Sequence, residues 1–283
     1  MKNSINTLVS IILLTGLISC STSSSSEVVS IPEDNTIPTT YFPLKTANFW
    51  TYRVENQASN NTPATTNTPA SSFRDSLYVA NDTLINAIVY KKMKTLNMSN
   101  GFFSSVLKDN GLRIDGTRLK ATGTLDNSSI AGISIPINLV DFVILKDNAA
   151  AGNILSTTSG VINLTASGTP ITVNYVLTSV SDGILAAFTS NSINYTNVKK
   201  TKIILNLTIT GLYSGFQIPI MNTQDVVTAT LYFAPLKGMI YNKRILNYEL
   251  NPALPAALVN NLAAPTKSYQ VQEEFLDTFN VSH

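Results

Sequence analysis

From Tyr41 almost to its C-terminus the chain alternates apolar and polar side chains with a period of two. Successive side chains of a strand point to opposite faces, so this alternation predicts half-buried β-strands. Trp50, Tyr52 and Val54 fall on one face, with Thr51, Arg53 and Glu55 on the other. Ile203, Leu205, Leu207 and Ile209 alternate with Lys202, Ile204, Asn206, Thr208 and Thr210. Ile171, Val173, Tyr175 and Leu177 repeat the pattern, as do Val227, Ala229, Leu231 and Phe233. Each apolar face has to be covered, by a second sheet or by curling of the sheet on itself.

Asn100-Gly101, Asn110-Gly111, Asp115-Gly116 and Asp182-Gly183 accept positive φ and predict tight turns. Ser104 to Ala121 reads as three strands separated by turns at Asp109-Asn110-Gly111 and Gly116, and Gln57 to Ser72 as a long surface loop. Helix signals are few. Asn251 and Pro252 could open a short helix carrying a Leu254, Leu258, Leu262 stripe. In the tail, Tyr269, Val271, Phe275, Phe279 and Val281 alternate and read as a final strand, while Val271, Phe275 and Phe279 also fit a helix. The expected fold is mainly β: a single antiparallel, strongly curved sheet forming a half-open barrel, with one or two short helices. A β-sandwich is the alternative.

Composition removes several kinds of chemistry. The only histidine is His283, the last of 283 residues, and the only cysteine is Cys20. A Ser-His-Asp or Cys-His mechanism needs an internal imidazole, and zinc sites are built from Cys and His. No phosphate-binding or dinucleotide-binding glycine motif is present. The sequence therefore predicts no enzyme, cofactor or metal. Charged residues make up 13% of the chain and the net charge is +2, so no basic field invites nucleic acid.

The N-terminus carries an address. Lys2 precedes the apolar run Leu8 to Ile18, which is too short for the roughly 20 residues a membrane-spanning helix needs. A short apolar core behind a positive start is a secretory signal. Leu17-Ile18-Ser19-Cys20 resembles the lipobox of bacterial lipoproteins. The resemblance implies cleavage after Ser19 and lipidation of Cys20, which would anchor the chain to a membrane; one acyl chain holds only marginally, and a lipobox cysteine carries two or three. The Ser-rich segment after Cys20 reads as a flexible tether. Residues 1–19 are thus expected to be a signal peptide, 20–40 a lipidated tether and 41–283 a single β domain.

Tyr41-Phe42-Pro43-Leu44, followed by Asn48-Phe49-Trp50-Thr51-Tyr52, resembles the opening of a group of uncharacterised Gram-negative envelope lipoproteins. Asp75-Ser76-Leu77-Tyr78-Val79 with Asp82-Thr83, and Leu231-Tyr232-Phe233-Ala234-Pro235 leading to Gly238-Met239-Ile240-Tyr241, match the same style. The resemblance implies a curved antiparallel sheet like that of the lipoprotein carriers LolA and LolB, and an outer-membrane location on either face. It implies no activity.

Several short patterns resemble catalytic or modification sites. Ser105 and Lys108 form an S-x-x-K and Tyr195-Thr196-Asn197 a Y-x-N, patterns found in penicillin-recognising enzymes, but a strand would put Ser105 and Lys108 on opposite faces. Glu273, Glu274 and Asp277 could supply a carboxylate pair for a hydrolase; a solvated strand edge explains them more simply. Asp141 reads as a hydrogen-bonding residue near the start of a strand, and Trp50 as core. Asp75-Ser76-Leu77 and Asp82-Thr83-Leu84 resemble acceptors for O-glycosylation at Ser76 or Thr83. The expected function is a non-catalytic binding or scaffold lipoprotein, with an apolar small molecule or an envelope protein as partner. An accessory subunit of an outer-membrane complex is the alternative, and a carboxylate hydrolase comes last.

Overall fold

The computed structural model describes residues 40–57, 69–125, 129–130, 132–166, 168–262 and 265–282. Cys20, the signal peptide, His283 and most of the expected 57–72 loop lie outside them; Pro69 to Ser72 of that loop belong to a strand. In chain order the elements are β1 (Phe49–Gln57), β2 (Pro69–Ile85), β3 (Ile88–Thr95), α1 (Phe102–Leu107), β4 (Gly111–Asp115), β5 (Arg118–Leu125), β6 (Ser129–Ile130), β7 (Ile133–Ser134), β8 (Ile137–Lys146), β9 (Ile154–Ala166), β10 (Thr169–Ser190), β11 (Ile193–Tyr213), β12 (Phe216–Ala234), β13 (Gly238–Glu249), α2 (Ala256–Leu262) and β14 (Lys267–Asn280).

Strands hold 72% of the described residues, and one antiparallel sheet of 12 strands curls nearly closed into a barrel. Its order is β8-β5-β4-β3-β2-β1-β14-β13-β12-β11-β10-β9, with β6 and β7 forming a separate ribbon. The first and last strands of the chain thus pair in the middle of the sheet, Trp50 opposite Phe279 and Val54 opposite Glu274. The fold class is the expected curved sheet with two short helices, not the sandwich.

The alternation sets inside from outside. Trp50, Tyr52, Val54, Leu205, Leu207, Ile209, Leu231 and Phe233 are all buried within the barrel. The outward row of β11 includes Lys202, Asn206 and Thr208. Apolar inside and polar outside is the reverse of a membrane-spanning barrel, whose apolar band faces lipid. The middle of the barrel is filled by rings. Phe42, from the segment preceding β1, stacks on Trp50 with centroids 4.7 Å apart. Phe103 from α1 meets Phe42, Tyr52 and Phe233 edge-on at 6.0 to 6.3 Å. The Trp50 indole N–H donates to the Lys237 carbonyl at 2.6 Å.

Three local expectations are corrected. Phe102 to Leu107 is the helix α1, not a strand; a six-residue run with five buried members fits either period. Asn100-Gly101 consequently leads into a helix. Asp182-Gly183 is no hairpin turn. It sits in a register shift where Ser181 and Gly183 follow one another against β11, so β10 bends and continues to Ser190. The actual two-residue hairpin turns include Asn86-Ala87, Asn191-Ser192 and Ser214-Gly215, each with positive φ at both positions. Asn251 opens a turn by accepting the Ala253 N–H (3.0 Å), and the helix begins only at Ala256, burying Leu258 and Leu262.

Beyond its bend the β10–β11 hairpin lies across the outer face of its neighbours. Phe188 stacks on Tyr232 (4.5 Å) and contacts Tyr241 (5.6 Å), both of which alternate with buried residues. At the tip, the Ser190 hydroxyl donates to the Ile240 carbonyl and the Asn191 amide to the Leu276 carbonyl.

Candidate functional site

The most concentrated chemistry in the molecule is buried where α1 meets the sheet. Asp75 of β2, Asn242 of β13 and Gln272 and Glu274 of β14 all point inward, and none is more than 7% exposed. A helix start leaves backbone N–H groups without intrahelical partners. Here they are met by strand residues remote in sequence rather than by a local cap. Asp75 accepts the Gly101 N–H at 2.7 Å and the Asn100 N–H at 3.0 Å. The Gln272 side-chain carbonyl accepts the Phe102 N–H, and Glu274 Oε1 the Phe103 N–H, both at 2.7 Å. Glu274 Oε1 also receives the Asn242 amide at 2.7 Å. The contact is too close for a side chain at position 101: a Cβ on Gly101 would stand 2.2 Å from Glu274 Oε2.

Burial pushes the Glu274 carboxyl up to about 7; the Asp75 charge adds to this, while hydrogen bonds from the Phe103 and Ser104 N–H groups and from Asn242 oppose it. Burial also drives the Tyr52 hydroxyl well up, with Glu274 adding, and lowers Arg244 against the pull of Glu274. Among the described residues, Glu274 Oε2, the Tyr52 and Ser104 hydroxyls, Asn242 Oδ1 and Arg244 Nε are buried without a hydrogen-bond partner. Glu274 has no exposed surface, and its carboxylate accepts the Phe103 N–H at the start of α1.

Two charged groupings lie on the outside. Arg113 donates to both oxygens of Asp141 (2.9 and 2.5 Å), and the Tyr90 hydroxyl donates to the same carboxylate at 2.6 Å. The Arg113 bond, then that of Tyr90, hold Asp141 at about 2. Asp182 lies between Lys200 (3.0 Å) and Lys202 (3.2 Å).

The residues singled out from sequence are scattered. Ser105 and Lys108 both belong to α1 and its C-terminal cap, which removes the strand argument against them. Even so, the Ser105 hydroxyl is bonded to that of Ser99 (2.9 Å) and Lys108 is exposed. Tyr195 is buried, and the Asn197 carbonyl accepts the Tyr41 hydroxyl. Glu273, Glu274 and Asp277 are not a solvated edge, because β14 lies between β1 and β13. Glu273 faces outward and accepts from the Tyr241 hydroxyl, Glu274 faces inward, and Asp277 pairs with Arg74 at 2.6 Å. Asp141 lies within β8 with φ 50°, its N–H bonded to the Thr122 hydroxyl. Trp50 is core. Ser76 and Thr83 are both on β2 and partly exposed. Among the described residues no three His, Cys, Asp or Glu side chains gather as a metal site.

Asp75, Asn242, Arg244 and Gln272 were not anticipated. The alternation of β14 set Tyr269, Val271 and Phe275 in one row. Val271 is buried as part of that row, but the structure turns Gln272, Glu274 and Leu276 of the other row inward, where Gln272 and Glu274 meet the polar start of α1. No family model, curated protein or solved structure matches this chain.

Proposed function

We propose that this chain is a lipoprotein of the bacterial cell envelope, held at the outer membrane through Cys20 and the 20–40 tether, and that its barrel is a non-catalytic interaction or scaffold domain. The observation that carries the choice of scaffold over carrier is the filled interior. Phe42, Trp50, Tyr52, Phe103 and Phe233 pack against one another where a carrier of this shape would hold an apolar ligand. The two buried carboxylates, Asp75 and Glu274, are engaged by the N–H groups of α1, which argues against their use in hydrolysis. Recognition then falls to the outer surface and the sheet edges.

The test uses the full chain expressed with its signal in a Gram-negative host fed labelled palmitate. Label on the wild-type protein and its loss in Cys20→Ala are expected, together with an organic extract of the purified protein that holds no stoichiometric apolar molecule. An unlabelled wild-type protein would sink the anchor, and a stoichiometric extracted ligand would sink the scaffold reading.

A further inference from the structure

Like charges set directly opposite one another on neighbouring strands repel. Among the described residues the sheet sets cations opposite each other three times: Arg53 and Arg74, Arg113 and Lys120, Arg118 and Lys146. The first two pairs are compensated by carboxylates. Arg53 is bonded to Glu55, and Arg74 to Asp277 at 2.6 Å. Arg113 is bonded to Asp141 and Lys120 to Asp115, both at 2.5 Å. The third pair has no such compensation: the Arg118 and Lys146 side chains make no ion pair or hydrogen bond with a described residue.

Arg118 and Lys146 line a cleft of about 420 Å³ at the seam of the barrel, where β8 lies beside the start of β9. No backbone bond joins the two strands there among the described residues, and the register of β9 slips at Leu155, which also lines the cleft. Lys120, Asp141 and Asn153 line it too. Asp141 is already engaged by Arg113 and by the Tyr90 hydroxyl. The next acid in the chain, Asp147, lines the adjoining cleft, where the Lys199 charge opposes the effect of its burial. Around the seam the four cations Arg113, Arg118, Lys120 and Lys146 meet two carboxylates, Asp115 and Asp141, which leaves two positive charges over.

We propose that this seam cleft binds a phosphate group, held by Arg118 and Lys146. An arginine fork and a lysine ammonium on neighbouring strands donate from different directions, which suits the several oxygens of a tetrahedral phosphate better than the single plane of a carboxylate. A phosphate dianion matches the surplus of two charges and removes the repulsion between the opposed cations. Asn153, whose side chain is also unbonded among the described residues, can donate its amide from the β9 side. A free phosphate and a phosphorylated lipid headgroup present the same chemistry to these cations. The site belongs to the sheet and stands whether or not Cys20 is lipidated.

The test is isothermal titration calorimetry of the full chain, purified in nonionic detergent, at pH 8 and low ionic strength. Inorganic phosphate and dihexanoyl phosphatidic acid below its micelle concentration are titrated separately, and one site per chain is expected. Arg118→Gln with Lys146→Gln should weaken binding about tenfold or more, as the loss of two charge-assisted contacts would. Arg74→Gln, which removes a cation from a compensated pair, should leave it unchanged, and malonate, a dianion built of carboxylates, should bind more weakly than phosphate. Saturation by inorganic phosphate supports the site with the free ion as ligand; saturation by the lipid alone supports it with a headgroup as ligand. Failure of both to bind overturns the proposal. So does a double variant, folded by circular dichroism, that binds as tightly as the wild type, or an Arg74→Gln loss as large as that of the double variant, since the attraction is then general to the surface. Malonate binding as tightly as phosphate overturns the choice of phosphate.

Discussion

Strands β8 and β9 end the same sheet and are joined by the loop 147–153, but they are finished in opposite ways. β8 is guarded. Its Val143 carbonyl accepts the buried Ser179 hydroxyl of β10 at 2.5 Å, Asp141 takes positive φ within it, and Arg113 and Lys120 bring charge to that carboxylate. Phe142, Ile144 and Leu145 are buried beneath. β9 carries no charge and no positive φ; it has one bulge, at Leu155, and lies beside β8 with no backbone bond between them among the described residues. The contrast teaches that near-closure of a barrel is asymmetric. One edge is tied down by side chains to the strand beyond its gap, and the other is left over.

Removing packing should separate the two edges most. Phe142→Ala in β8 is expected to destabilise by about 3–5 kcal/mol. Ile162→Ala in β9, half-exposed, should cost under about 1 kcal/mol by the smaller area it buries. Denaturant unfolding of the two variants measures both, and equal losses would break the comparison.

Away from both edges, at the centre of the sheet, Glu274 of β14 sets a pH response. The Glu274 carboxyl is raised from an ordinary 4.5 to about 7, so between those values the folded chain holds a proton that the unfolded chain has released. Stability should therefore fall as pH rises through this window, by up to roughly 3 kcal/mol, and level off above about 7. Thermal melts from pH 4.5 to 8 read the slope, and Glu274→Gln should flatten it. A slope unchanged by that substitution would move the buried proton to another group.

A single edge bond comes next. Ser179→Ala strands the Val143 carbonyl and should cost about 1–3 kcal/mol, while amides of β8 exchange with solvent faster and approach the rates of β9. If β8 keeps its protection in hydrogen exchange, its edge is held by packing alone. The smallest effect belongs to Asp141. Its carboxyl sits at about 2, below the ordinary 3.8, so its stabilisation is present above 3.8 and lost as pH falls through 2. Arg113→Ala should abolish that acid-side loss, as read by melts between pH 2 and 4.

Much of this fold was legible in the chain. The period of two placed Trp50, Tyr52 and Val54 inward, and likewise the apolar rows of β11 and β12, because a strand's side chains alternate regardless of what it pairs with. Period fails over short stretches, as at Phe102 to Leu107, and at Asp182-Gly183, where one dipeptide serves equally for a turn or a bulge. It also fails wherever burial is polar. Glu274 looks like a surface acid in sequence, and it becomes the seat of α1 only because β14 pairs with β1, Val54 opposite Glu274, from the far end of the domain. Local sequence determined the strands and most of their faces. Neighbours, edges and the buried polar cluster were decided by long-range pairing, because hydrogen bonds between strands carry no mark in the residues that make them until the whole sheet has closed.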